Sequence, residues 1–249
     1  MKPNFIIDPS LLSAGLLGVA VSELAPGFRA RVHTNLHGQP EYHYTVFYDG
    51  VYWYPLTQGN GTYIVQTLVE IEQDSARYTP VLSESVRLEL ANPDTVYLQS
   101  CVNMLWRPDM ECIKIAVMLA ASLNGDRAKF NAVWKYVVQN FTYDEELAAE
   151  IIRNGRKYNY IPDIERIFYS KKDICFGLTA ILNSMLRSVG LPARMVHGAS
   201  KQANGAYHAW SNVLIDGTWK LVDVSFDIAQ KFKDVPMRFG PNYEVRFFY

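Results

Sequence analysis

The chain has 249 residues, 49% of them hydrophobic and 20% charged, with a formal net charge of −1. That length suits one large domain or two small ones, and either can bury a real core. The near balance of charge gives no reason to expect a nucleic-acid or anionic-membrane partner. The single run resembling a leader, Leu11 to Val21, lacks a basic start and is too short and glycine-broken to span a bilayer. As it stands the sequence reads as cytoplasmic, with export on a leader outside it as the alternative.

The first hundred residues read as β structure. Strands are expected at Asn4–Ile7, Leu17–Glu23, Phe28–Asn35, Glu41–Tyr48, Val51–Tyr54, Thr62–Glu72, Arg77–Val81 and Ser85–Leu90. Asp49-Gly50 reads as a hairpin turn between two aromatic runs, and Gln58-Gly59-Asn60-Gly61 as a second turn. Many short strands at this spacing predict a small β-sandwich or barrel. His33, His37 and His43 invite a metal reading. No close carboxylate or Cys is evident to complete a ligand set, so they read as exposed strand and loop histidines.

From Cys112 the apolar period becomes helical. A helix is expected over Cys112–Leu123, ended by Asn124-Gly125. A second is expected with Asp126 as its cap and Phe130, Val133, Trp134, Val137, Val138 and Phe141 on one face. Thr142-Tyr143-Asp144 breaks it, a third helix covers Glu145–Arg153, and a polar and aromatic connection runs from Asn154 to Ile167. The strand pattern stops near Arg107-Pro108, which divides the chain into a β-rich module at 1–107 and a second domain at 108–249.

The chemistry concentrates between Lys172 and Asp223. Leu178, Leu182, Met185, Leu186 and Val189 recur on one helix face, and Gly190 with Pro192 stops that helix. Cys175 then sits in its first turn, where unpaired backbone N–H groups and the helix dipole favour a thiolate. Asp173 is placed to cap that helix, although its charge would work against the thiolate. Asp216-Gly217 is a two-residue hairpin signal. With Ile215 opposite Thr218, Asp223 comes opposite Trp210 and diagonal to His208 on the same face, within reach of an imidazole–carboxylate contact. A one-residue change of register would separate them. Cys175, His208 and Asp223 are thus the parts of a nucleophile, base and orienting acid. His197 is the lesser candidate for the base, because no hairpin-related acid falls to it.

Three blocks carry a resemblance to the transglutaminase-like superfamily, whose core is related to the papain-like cysteine proteases. They are Cys175 with its helix and Gly190-Leu191-Pro192-Ala193-Arg194, then His208-Ala209-Trp210, then Trp219-Lys220-Leu221-Val222-Asp223. The segment Pro55-Leu56 to Thr62-Tyr63 is similar to β modules that precede some bacterial members. The chain departs from the family in two places: Lys172-Asp173-Ile174 stands where a glycine is usual before the nucleophile, and Val224-Ser225 where Pro-Thr is common. The resemblance implies an α+β fold, an N-terminal β module followed by a papain-like core of helices packed on an antiparallel sheet. It implies Cys175 as nucleophile, His208 as base and acid, and Asp223 as orienting residue.

The function expected is thiol-based acyl chemistry on a peptide or protein substrate, hydrolysis favoured over amine transfer, with no cofactor and no metal. The alternative is a catalytically silent module that binds a cell-wall polymer or a partner protein. Trp210 and Trp219 are expected to pack around the imidazole and Arg194 to be structural. Tyr158, Tyr160, Phe168 and Tyr169 are aromatic candidates for a cleft wall. Cys101 and Cys112 read as buried thiols, with a bridge between them possible only in an exported protein.

Overall fold

A computed structural model describes residues 3–154, 160–203, 205–231 and 242–249. The chain divides into two compact units, Met1–Val102 and Asn103–Tyr249.

The first unit is all β apart from short 3-10 turns. Its strands are β1 (Asn4–Asp8), β2 (Leu16–Ser22), β3 (Ala30–Leu36), β4 (Tyr42–Val46), β5 (Gly50–Pro55), β6 (Gly61–Glu70) and β7 (Tyr78–Leu88). They form two antiparallel sheets, ordered β1-β2-β5 and β4-β3-β6-β7. Alternation decides which side of a strand is covered. Ala30, Val32 and Thr34 of β3 and Tyr42, Tyr44 and Val46 of β4 are buried, while Arg31, His33 and His43 face the other way. Tyr44 of one sheet meets Tyr54 of the other with ring centroids 4.8 Å apart.

Asp49-Gly50 is not the hairpin expected. β4 pairs with β3 and β5 pairs with β2, so the chain changes sheets at this point. The Asp49 carboxylate instead accepts the backbone N–H groups of Glu23 and Leu24, each at 2.9 Å. Turn chemistry shows that the chain bends there but not which strand it then joins. The two strands expected between Arg77 and Leu90 are one continuous strand, β7, with an irregularity in its pairing to β6 at Thr67/Leu68.

The second unit is α+β. Its elements are α1 (Glu111–Ala120), α2 (Asp126–Asn140), β8 (Thr142–Tyr143), α3 (Glu145–Asn154), α4 (Ile164–Ser170), β9 (Lys172–Asp173), α5 (Cys175–Ser188), β10 (Ala193–Ser200), β11 (Tyr207–Ile215), β12 (Thr218–Val222), α6 (Val224–Gln230) and β13 (Tyr243–Phe248). The sheet runs β12-β11-β10-β13, antiparallel throughout, so the C-terminal strand belongs to it. Asp126 is the first helical residue of α2 rather than its cap; Gly125 takes the cap position.

The helix that starts at Cys175 is the centre of this unit. It packs on β10 and β11 and is enclosed by α1, α2, α4 and α6. Every residue from Gly177 to Arg187 is buried, so its sequence period marks only the most apolar face. Polar residues on the other faces are partnered inside. Thr179 donates to the Ala209 carbonyl, Asn183 accepts the Ser211 hydroxyl at 2.7 Å, and Arg187 donates to the Ala193 and Tyr249 carbonyls. Gly190 ends the helix at φ +85, with N–H bonds from Gly190 to Arg187 O and from Leu191 to Leu186 O, a Schellman closure.

One glycine holds the sheet together by its lack of a side chain. At Gly198 the β10–β13 pairing shifts register, and a Cβ would lie 1.9 Å from the Glu244 carbonyl oxygen. A larger residue there would push β13 off the sheet.

Candidate active site

Three elements converge on one spot. Cys175 is the first residue of α5, behind an extended Ile174 whose side chain makes no cap. Its thiol is partly exposed, whereas Cys101 and Cys112 are buried and likewise unbridged. His208 lies near the start of β11. Asp223 follows β12 and caps α6.

The β11–β12 hairpin turns at Asp216 (φ 49) and Gly217 (φ 72), left-handed at both positions as a type I′ turn needs. That turn sets the ladder from Ile215↔Thr218 to Ser211↔Val222. Asp223 is the next residue, just past the last pair, and its Oδ2 lies 2.9 Å from His208 Nε2. The His208 side chain is 12% exposed and that of Asp223 is 0%.

The carboxylate is held on both oxygens. Oδ2 also accepts the Tyr243 hydroxyl at 3.1 Å, and Oδ1 accepts Ser225 Oγ at 2.9 Å and the Phe226 N–H at 3.2 Å. Ser225, which stands where the family commonly has threonine, therefore supplies a hydroxyl to the acid. With Nε2 engaged by Asp223, Nδ1 is the ring nitrogen left for the thiol, and Cys175 is close enough to raise the His208 pKa. Burial alone would push the imidazolium down. The bonds and charges of Asp223 and Cys175 outweigh it and raise the His208 pKa to about 10. At neutral pH His208 is therefore the imidazolium partner of the sulfur.

Sequence reasoning missed a tyrosine at this point. The parallel β8–β9 pair sets Tyr143 beside Asp173, and the Tyr143 phenol lies close enough to Cys175 for the two to interact. Burial, with the charge of Cys175 adding to it, pushes the Tyr143 phenol up to about 12, so it stays a proton donor. The visible signal was Thr142-Tyr143-Asp144 breaking α2. Nothing local could say that the break meets the segment before Cys175.

Asp173 is not the cap of α5, and its charge is not aimed at the sulfur. Its carboxylate is buried, pairs with Arg166, and accepts the Tyr160 hydroxyl and the Ile174 N–H. The nearby guanidinium offsets the charge that set it against a thiolate. Gly177 makes room for this arrangement, since a Cβ there would lie 2.2 Å from Asp173 Oδ1.

His197 has a different environment from His208. It is 4% exposed, its Nδ1 meets the Tyr207 hydroxyl, and its Nε2 has no hydrogen-bond partner. Burial first, and then the charge of His208, lower its pKa to about 3, so it stays neutral. With a phenol and, among the described residues, no acid beside it, it lacks a group to stabilise imidazolium.

Trp210 is fully buried, with its ring 6.2 Å from that of His208 and near-parallel to it. Trp219 does not shield the imidazole; it stacks under the Arg194 guanidinium at 3.6 Å. Tyr160 packs edge-on against Phe176, the residue after Cys175, whereas Phe168 is buried and Tyr169 is exposed. Tyr158 lies outside the described residues. No helix among them is long and apolar enough to cross a membrane.

Residues 113–224 match the family model described as the transglutaminase-like superfamily, a span that contains all three converging residues. Over these residues the chain is similar to transglutaminase-like domains.

The chain is 30% identical over 114 residues to the kyphoscoliosis peptidase of Mus musculus, covering 42% of this chain and 16% of that protein. Its structure is similar to a solved transglutaminase (26% identity, 51% of this chain and 32% of that one, TM-score 0.39). It is also similar to a candidate cysteine protease from Cytophaga hutchinsonii (11% identity, 88% and 75%, TM-score 0.47). The chain thus spans about a sixth of the mouse relative and a third of the solved transglutaminase.

Proposed function

We propose that the second unit is a thiol-dependent acyl enzyme acting on peptide or amide bonds, with Cys175, His208 and Asp223 as its reacting set. The observation that carries this reading is the convergence of Cys175 and His208 with a buried Asp223 whose carboxylate meets His208 and accepts from Ser225, Phe226 and Tyr243. The thiolate attacks the carbonyl carbon, and the C–N bond breaks as the leaving amine takes a proton from the His208 imidazolium. A thioester and a neutral imidazole remain. Water, deprotonated by His208, then attacks the thioester and returns Cys175.

The oxyanion formed in each step needs donors that are already in place. An acyl oxygen seated between the Cys175 N–H and the Tyr143 O–H would accept both. Tyr143 is therefore the second donor in this scheme.

Hydrolysis is favoured over transfer to an amine. Transfer requires water to be kept from the thioester, whereas Cys175 is partly exposed and Tyr207, next to His208, is 60% exposed. The peptidase named among the relatives supports the same choice. The test is incubation with Gln-containing and ordinary peptides plus a labelled primary amine, read by mass spectrometry. Cleaved backbone or released ammonia without label is expected. Amine incorporation exceeding hydrolysis would make the protein a transferase, and no turnover of any peptide would favour a binding module.

A further inference from the structure

The first unit brings together a donor set that the chemistry at Cys175 does not use. β3 and β4 pair so that His33 lies directly opposite His43. Glu41 precedes His43 by two residues, which puts it on the same side of the chain. His33 Nδ1 lies 3.5 Å and His43 Nε2 3.0 Å from Glu41 Oε2, and one donor atom from each residue lies within 4.8 Å of the others. The expectation that no carboxylate stands close to these histidines is therefore overturned by Glu41.

We propose that His33, Glu41 and His43 form a binding site for one divalent first-row transition ion of the zinc type, with at least one coordination position left for water or an outside ligand. The donor chemistry fits, since two imidazoles and a carboxylate suit zinc, copper or nickel rather than calcium or magnesium. So does the spacing. Ligand bonds of about 2.0–2.1 Å in a tetrahedron put neighbouring donors roughly 3.3 Å apart, and the two distances to Glu41 Oε2 bracket that value.

The stacking of the two rings fits the same reading. They stack at 3.9 Å with 14° between planes, an arrangement that two imidazolium cations would oppose. Burial, with the His43 charge next, lowers the His33 pKa to about 4, so its ring is neutral at physiological pH. His33 Nε2 is buried without a hydrogen-bond partner, and the contact from Nδ1 to Glu41 is long, so the ring's polar edge is weakly used at rest. Arg31, the nearest cation on this side of β3, has its guanidinium turned onto the Tyr78 ring at 4.1 Å. Because β4 is an edge strand, an ion held by all three residues would fasten it to β3.

The test uses the full chain carrying Cys175→Ala, so that a thiol and His208 cannot compete for the ion. Metal-free protein is titrated with zinc chloride by calorimetry, and with cupric ion by electron paramagnetic resonance. One equivalent should bind with a Kd in the micromolar range or tighter, the cupric spectrum should show two coupled nitrogens, and zinc should raise Tm. His43→Gln and Glu41→Gln, both at exposed positions, should fold normally and weaken binding by about tenfold or more. No saturable binding would overturn the proposal, as would binding of equal strength in His43→Gln.

Discussion

Asp223→Asn should lower turnover by about four orders of magnitude while leaving the fold intact. Asparagine is as good a helix cap as aspartate, so its oxygen can keep the bonds from Ser225 and Phe226 that hold α6. The cost falls on His208. An amide N–H₂ then faces Nε2, which must become the acceptor, and the ring proton moves to Nδ1, where the thiol proton has to go. The imidazolium also loses the charge that opposes its burial. The His208 pKa should therefore fall from about 10 by more than any other single substitution would lower it, as followed by NMR titration. Near wild-type turnover would mean that another group orients the imidazole.

Cys175→Ala should bring turnover to the background rate, because no other partly exposed thiol stands in the domain. It should also lower the His208 pKa, by removing the Cys175 side chain that helps raise it, but less than Asp223→Asn does. The sign of the stability effect follows from linkage. A folded-state pKa raised from 6.5 to about 10 contributes stability that is full below about pH 6.5 and is lost as pH rises through 10. Denaturant melts of Cys175→Ala and wild type should therefore respond differently to pH in that window. Retained turnover would place the nucleophile elsewhere.

What could be read from the sequence was whatever local rules control. The Asp216-Gly217 turn demands positive φ at both residues, so it fixed the β11–β12 register and with it the meeting of His208 and Asp223. Gly190 marked the end of α5 for the same reason. Contacts between remote segments were beyond such rules. Nothing near Asp173 announces Arg166 as its partner, and nothing near Cys175 announces Tyr143. Tyr243 reaches Asp223 only because β13 joins the sheet beside β10. Asp49-Gly50 has the composition of a hairpin, yet the strands on either side of it enter different sheets. Glu41 was legible in principle, since alternation puts it on the same side as His43. Finding it required pairing β3 with β4, so that His33 came opposite.

The alkylation pattern of the native protein tests the central claim most directly. At about pH 6 an ordinary thiol, with a pKa of about 8.5, is almost wholly protonated and reacts slowly with iodoacetamide. Burial raises the Cys112 pKa to about 11, and Cys101 is fully buried. Cys175 has the His208 imidazolium against its sulfur and the start of a helix behind it. Mass spectrometry should therefore find a single adduct, on Cys175, formed far faster than on unfolded protein at the same pH and slowed in Asp223→Asn. Equal labelling of Cys175 and Cys112, or no adduct on Cys175, would contradict the account.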